Sequence, residues 1–233
     1  IFRDGPIKAG RMRQFWQCDV DVLGVKEVVA DAEILALARD AFQELGLSIV
    51  IEVNDRKLLN ALLQKAQVRE EIRGEICIIL DKLKKIGEIE VMKELRKKKL
   101  TQNQITFLIK SLNIRGTNAE KLKQLKIILG EDESITELEN FFSSLNTFQV
   151  DFVFSPSLVR GLGYYTGPIY EVFLASSQIK SSIAAGGRWD QMIGNYLGTG
   201  KSYPATGISF GLEPISEALK ERKQSSKSVV EVY

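Results

Sequence analysis

Residues 158–173 read LVRGLGYYTGPIYEVF. Glycine, threonine and proline punctuate the first part, and Ile169 to Phe173 then follow the pattern of a β-strand, so a polar loop feeds a strand. Arg160 brings a planar five-donor fork suited to a carboxylate or a phosphate. Tyr164 and Tyr165 add phenolic groups that can orient a small ring through a hydrogen bond.

Composition narrows the chemistry around that loop. The chain has 233 residues, 44% hydrophobic and 27% charged, which fits a globular protein with room for one domain and an insertion. It contains no histidine, which excludes Ser/His and Cys/His nucleophiles and His-ligated zinc, and leaves carboxylates, arginines, lysines and tyrosines to work with. Cys18 and Cys77 lie far apart without metal-ligand spacing, which predicts reduced thiols in a cytoplasmic protein. No stretch reads as a membrane span. With a formal net charge of +2, any contact with nucleic acid would rest on local patches. The chain opens at Ile1 without a signal peptide, which predicts a fragment.

Upstream, Arg11 to Asp21 alternate and place Arg13, Phe15, Gln17, Asp19 and Asp21 on one face of a strand. Arg3 and Arg11 stand at the two ends of the preceding Gly/Pro loop, so a hairpin is expected with cations at its bend and acceptors on its return strand. Asp31 is expected to cap a helix bearing Ile34, Leu37, Ala38, Phe42 and Leu45 that stops at Gly46, and Ser48 to Val53 to form a strand ended by Asn54 to Arg56. From residue 56 to 148 the pattern turns helical: Leu58, Leu59, Leu62 and Leu63 form one stripe, and Ile72, Ile76, Ile79, Leu80 and Leu83 another. The tetrads 117–120 (TNAE) and 134–137 (SITE) match the capping box. This region is read as an inserted all-helical subdomain. Its run Arg96 to Lys99 is read first as a solvated helix end and second as a phosphate-backbone contact.

Downstream, the β pattern resumes at Val150 to Phe154. Ile183 to Arg188 is expected to enter a tight Gly186-Gly187 turn, where bare backbone approaches a ligand closely. Gly207 to Gly211 reads as a small-residue strand before a helix from Glu213 to Glu221. Lys220 to Ser228 reads as a linker and Val229 to Tyr233 as the first strand of another domain.

Four blocks, in order, carry a resemblance to the histidyl-tRNA synthetases, class II aminoacyl-tRNA synthetases. Residues 160–173 resemble the family's first histidine-specific motif, and 184–196 (AAGGRWDQMIGNY) its second. Residues 2–21 are similar to class motif 2 and 207–215 to class motif 3. The resemblance implies an α+β fold, a class II synthetase-like antiparallel β-sheet flanked by helices. It divides the catalytic domain into residues 1–55 and 149–222 around the insertion at 56–148, with 223–233 leading into a truncated anticodon-binding domain. The implied function is ATP-dependent activation of histidine to histidyl-adenylate and transfer to its tRNA, with Mg²⁺ accompanying ATP and a homodimer as the working form.

By the same resemblance, Arg160 and Arg3 are the catalytic residues, beside the reacting carboxylate and α-phosphate. Gln17 binds the substrate α-amino group, Asp21 and Tyr165 hold the imidazole, and Tyr164 and Gly186 line the histidine pocket. Arg11 reaches the outer phosphates or the acceptor end of the tRNA, and Gly207 and Gly211 flank the adenine. Pro214 departs from the pattern, since motif 3 normally has an arginine there to hold the γ-phosphate. A non-catalytic histidine-binding relative, such as the regulatory subunit of ATP phosphoribosyltransferase, is the alternative.

Overall fold

The computed structural model describes residues 12–161 and 163–221, together with Ile1, Phe2, Asp4 and Ile7. Arg3, Arg11 and the expected linker and strand at 223–233 lie outside the described residues.

The expected architecture is present: a six-stranded sheet, antiparallel except at one edge, with helices against it. In chain order come β1 (Gln17–Leu23), α1 (Val29–Glu44) and β2 (Ile49–Asp55). The helical stretch follows as α2 (Arg56–Lys65), α3 (Glu70–Leu80), α4 (Leu83–Ile86), α5 (Glu88–Lys97), α6 (Gln102–Leu112), α7 (Asn118–Leu129) and α8 (Glu133–Thr147). The chain then returns to the sheet through β3 (Val153–Phe154), β4 (Pro168–Leu174), β5 (Ala184–Arg188), α9 (Met192–Tyr196), β6 (Ala205–Gly211) and α10 (Leu212–Glu221). The strands lie in the order β1-β6-β5-β4-β2-β3, and only β2 and β3 run parallel.

Register sorts the side chains onto two faces. On one face lie Ile51 and Val53 of β2, Tyr170 and Val172 of β4, and Ile208 and Phe210 of β6, all buried in the core. α1 packs against this side, with Phe42 and Phe210 at a ring separation of 5.5 Å, and α8 packs on α1. Strand alternation from Gln17 to Asp21 then points their side chains to the opposite face, as the sequence predicts. The apolar stripes of α2 and α3 join one continuous hydrophobic cluster with the sheet, so the helical stretch shares the core rather than building its own.

Several local expectations are corrected. Asp31 does not cap α1, which begins after Val28; it is fully buried and ion-paired with Arg188. α8 starts two residues earlier in its capping pattern than the SITE tetrad predicts, because the Asp132 carboxylate accepts from Ser134 N at 3.0 Å and takes the cap itself. The TNAE capping box at Thr117 and Glu120 is present. Gly186 and Gly187 do not form a turn: both are inside β5, flanked by β4 and β6. β2 runs on through Asn54 and Asp55 because both pair with β4. Arg96 and Lys97 close α5 as an exposed helix end, and Lys98 reaches Glu75 at 2.5 Å. Among the described residues, no helix is long and apolar enough to cross a membrane.

Asp55 is the cap of α2, its Oδ1 accepting from Lys57 N at 2.6 Å, while Oδ2 is buried without a hydrogen-bond partner. Burial pushes its pKa from 3.8 up to about 7, against the opposing hydrogen bond from Lys57. The folded state therefore holds this proton where the unfolded chain has lost it, and stability falls as pH rises from about 4 to 7. Asp55→Asn keeps the capping acceptor without the charge. Chemical denaturation at pH 8 should show the variant more stable than the unsubstituted chain by up to about 4 kcal/mol, with the gain gone at pH 4.

Candidate active site

The open face of the sheet floors a cleft of about 500 Å³. Its walls come from Gln17, Asp19 and Asp21 of β1, the loop bearing Arg160, Tyr164 and Tyr165, the Gly186-Gly187 strand, and the start of α10 at Glu213 and Pro214. Thus Gln17, Asp21, Arg160, Tyr164, Tyr165, Gly186, Gly207 and Gly211 are brought to one cavity from distant parts of the chain. Arg3 and Arg11 fall outside the described residues.

Two glycines make the floor possible. Asp21 stands opposite Gly207, and Gly207 opposite Gly187, in one row across β1, β6 and β5. A Cβ on Gly207 would meet Asp21 Oδ1 at 1.8 Å, so the carboxylate lies across that bare backbone. A Cβ on Gly187, whose φ is +156°, would meet the Tyr165 ring at 2.8 Å, so the ring lies on the next glycine of the same row. Register thereby sets an acceptor and a phenol side by side. Gly186 contributes backbone only: its missing Cβ points to the other face, 2.6 Å from the Tyr170 ring. Gly187 carries the Tyr165 ring, and both glycines line the cleft.

Arg160 leaves the loop in a left-handed conformation, φ +24°, and its guanidinium pairs with Glu171 of β4. The same group lies 5.9 Å from the Tyr165 ring centroid, within range of a cation–π attraction. Tyr164 Oη donates to Tyr165 Oη at 3.5 Å, and partial burial pushes the Tyr164 hydroxyl above its ordinary range. Glu171 was missed by the sequence reading. Its signal was the strand alternation itself, which sets it on the face opposite Tyr170 and Val172.

Gln17 donates its side-chain amide to Ser209 Oγ on the adjacent strand. Asp21 has its pKa raised, first by burial and then by the neighbouring charge of Asp19. Glu213 Oε1 accepts from Trp16 N at 2.8 Å, which ties α10 to the segment entering β1. Pro214 sits in the first turn of α10, a place where proline costs the helix little, and offers the cleft no charge. Among the described residues lining the cleft, Arg160 is the one cation, against Asp19, Asp21 and Glu213.

Behind the glycine floor lies a buried polar network. Arg188 Nε and Nη2 donate to Asp31 Oδ2 at 3.0 and 2.5 Å, and Nη1 and Nη2 reach the carbonyls of Val25 and Glu27 at 3.0 and 3.1 Å. Thr206 Oγ1 donates to Asp31 Oδ1 at 2.6 Å, and the Tyr170 hydroxyl donates to Gly207 O at 3.0 Å. The network clamps β5, β6 and the start of α1 together directly beneath Asp21 and Tyr165. Burial pushes the Asp31 carboxyl up, with Arg188 and Thr206 acting in the opposite sense.

Known proteins share this fold. The family profile described as histidyl-tRNA synthetase matches residues 1–215. Histidine–tRNA ligase 1 of Bacillus thuringiensis subsp. konkukian is 37% identical over 237 residues, covering 100% of this chain and 55% of that protein. Histidine–tRNA ligase 2 of Shouchella clausii is 38% identical, again with 100% of this chain and 56% of its own length. The chain thus spans about half the length of the curated relatives it matches. The crystal structure of histidyl-tRNA synthetase from Nostoc sp. PCC 7120 superposes with a TM-score of 0.82 at 30% identity, over 92% of this chain and 52% of that one. A Bacillus halodurans structure described as an ATP phosphoribosyltransferase regulatory subunit/histidyl-tRNA synthetase shares the fold, with a TM-score of 0.75 at 21% identity. On a profile match over nearly the whole chain and similarity to these ligases along all of this chain, the chain belongs to the histidyl-tRNA synthetase family.

Proposed function

We propose that this chain is the catalytic part of an enzyme that activates histidine with ATP and passes it to its tRNA. The observation that carries the reading is the row in which Asp21 crosses Gly207 and Tyr165 lies on Gly187, with Arg160 beside them. An imidazole has two nitrogens, and an acceptor paired with a hydroxyl discriminates it from rings lacking them. Gln17, held by Ser209, would bind the α-amino group, and Tyr164 would close the pocket wall. In this reading residues 56–148 are an insertion between the catalytic parts at 1–55 and 149–222.

A carboxylate oxygen of histidine attacks the α-phosphorus of ATP, the bond to pyrophosphate breaks, and pyrophosphate departs with the bonding electrons. The nucleophile is already an anion, so no base is required and positioning with charge stabilisation supplies the acceleration. Arg160 would leave Glu171 to bind the carboxylate and the α-phosphate, assisted by Arg3. Arg11 would hold the outer phosphates, while Gly207 and Gly211 would flank the adenine. Mg²⁺ would arrive bound to the phosphates of ATP, where it would offset their charge. A homodimer and the tRNA for histidine complete the proposed partners.

The test is histidine-dependent ATP–pyrophosphate exchange by the full-length parent protein. Exchange supports the reading, and its absence in a folded, histidine-binding protein overturns it. Asp21→Ala should weaken histidine binding in calorimetry by roughly 1–3 kcal/mol, since it removes a charged hydrogen-bond partner. Unchanged affinity would refute the imidazole assignment.

A second reading, a histidine-binding relative that makes no adenylate, is favoured by Pro214 and by the acidic balance of the described cleft lining. Exchange that appears only in Pro214→Arg would select it.

A further inference from the structure

The strand β3 is two residues long and lies at the edge of the sheet, where its outer backbone groups have no strand to pair with among the described residues. Asn118, the first residue of α7, fills that place. Its Nδ2 donates to Phe152 O at 2.9 Å, and its Oδ1 accepts from Phe154 N at 2.8 Å, the two bonds a neighbouring strand would make. The capping box of Thr117 and Glu120 fixes the helix start that aims this carboxamide. One turn further, Lys121 Nζ donates to Phe154 O at 2.7 Å.

The inner side of the same segment is held from β2. Ser155 N donates to Val53 O at 2.9 Å, and the buried Asn54 donates its Nδ2 hydrogens to Pro156 O and Leu158 O at 3.0 and 2.9 Å. Between Phe152 and Leu158 the main chain is therefore gripped on both sides by three side chains. Arg160 follows directly, in a left-handed conformation that a slack loop would not preserve.

We infer that Asn118 and Lys121 of α7, together with Asn54, are positioning residues for Arg160, so that the helical segment sets the rate of the activation step, which involves no tRNA. This rests on the proposed function in one respect, the catalytic role of Arg160. None of the three lines the cleft. Their effect can reach the reaction only through the loop they hold.

The experiment uses the full-length parent and the variants Asn118→Ala, Asn118→Asp and Lys121→Met. Each is assayed for histidine-dependent ATP–pyrophosphate exchange without tRNA, and for amide hydrogen exchange over residues 155–161. A small displacement of a reacting group lowers kcat by about tenfold to a hundredfold, the loss expected for Asn118→Ala. Histidine affinity, to which Asp21, Tyr165 and Gln17 contribute besides Arg160, should fall less than kcat. Asn118→Asp retains the acceptor for Phe154 N but loses the donor to Phe152 O, so it should fall between. Amides 155–161 should exchange faster in Asn118→Ala while those of β5 and β6 keep their protection. Should Asn118→Ala not fold, Lys121→Met, which leaves the carboxamide pair intact, is read in its place. Parental kcat and parental protection at 155–161 in the readable variant would overturn the inference. If the parent itself shows no pyrophosphate exchange, the functional reading fails, and loop protection alone decides whether α7 holds the loop.

Discussion

Arg160→Ala is expected to lower histidine-dependent ATP–pyrophosphate exchange by two to three orders of magnitude, the cost of about 3–4 kcal/mol typical of losing one preorganised donor where charge develops. The protein should remain folded. Arg160 is attached through a loop, and among the described residues its ion pair is to Glu171, which keeps a hydroxyl neighbour in Ser182 at 3.4 Å. Melting within a few degrees of the parent, with kcat lost, is the expected result. Arg160→Lys separates charge from geometry: a lysine restores the positive charge but not the planar fork, and it should recover only part of the rate. A parental rate in the alanine variant would remove Arg160 from the chemistry and leave it as the partner of Glu171 only.

Arg188→Ala carries the largest expected cost to stability. Arg188 is 4% exposed and Asp31 0%, so removing the arginine strands a buried carboxylate with Thr206 as its remaining side-chain hydrogen-bond donor. Breaking such a pair costs about 3–5 kcal/mol. Chemical denaturation should register a loss of that size, or the variant should fail to accumulate folded. The Val25 carbonyl loses its Arg188 donor at the same time, and the Glu27 carbonyl is left with Ala30 N at 3.2 Å. The double variant Asp31→Asn with Arg188→Met removes both charges, and it should regain a substantial part of the loss, because an uncharged pair of similar volume avoids the desolvation cost. A near-neutral Arg188→Ala would mean that the network does not fasten β5 to α1.

How far these residues were legible in the sequence differs from one to the next. The loop and strand at 158–173 declared themselves through Arg160, the paired tyrosines and the Thr-Gly-Pro punctuation, and the structure places that loop on the cleft and that strand in the sheet. Alternation from Gln17 to Asp21 was equally readable, because a strand has period two and any one-residue slip would reverse its faces. Glu171 was readable by the same rule once β4 was assigned, but its ion pair with Arg160 was not. Asp31 was misread as a cap, since a carboxylate just before an amphipathic run ordinarily serves one. Its partner lies 157 residues away. Asp132 took a cap that pattern matching gave to Ser134, because competing oxygens two residues apart are settled by backbone geometry.

The sequence by itself determined the elements whose causes are local: the α7 capping box, the apolar stripes of α2 and α3, the alternating strands, and the residue types able to bind an anion or a small ring. Only the tertiary structure decided that the Tyr165 ring lies on Gly187 while Asp21 lies on Gly207 of the same row, that Arg188 pairs with Asp31, and that Asn118 bonds the outer side of β3. Each of these depends on the register between strands or the docking of a helix edge. Such pairings are fixed by contacts between residues far apart in the chain, and no property of either segment alone records them.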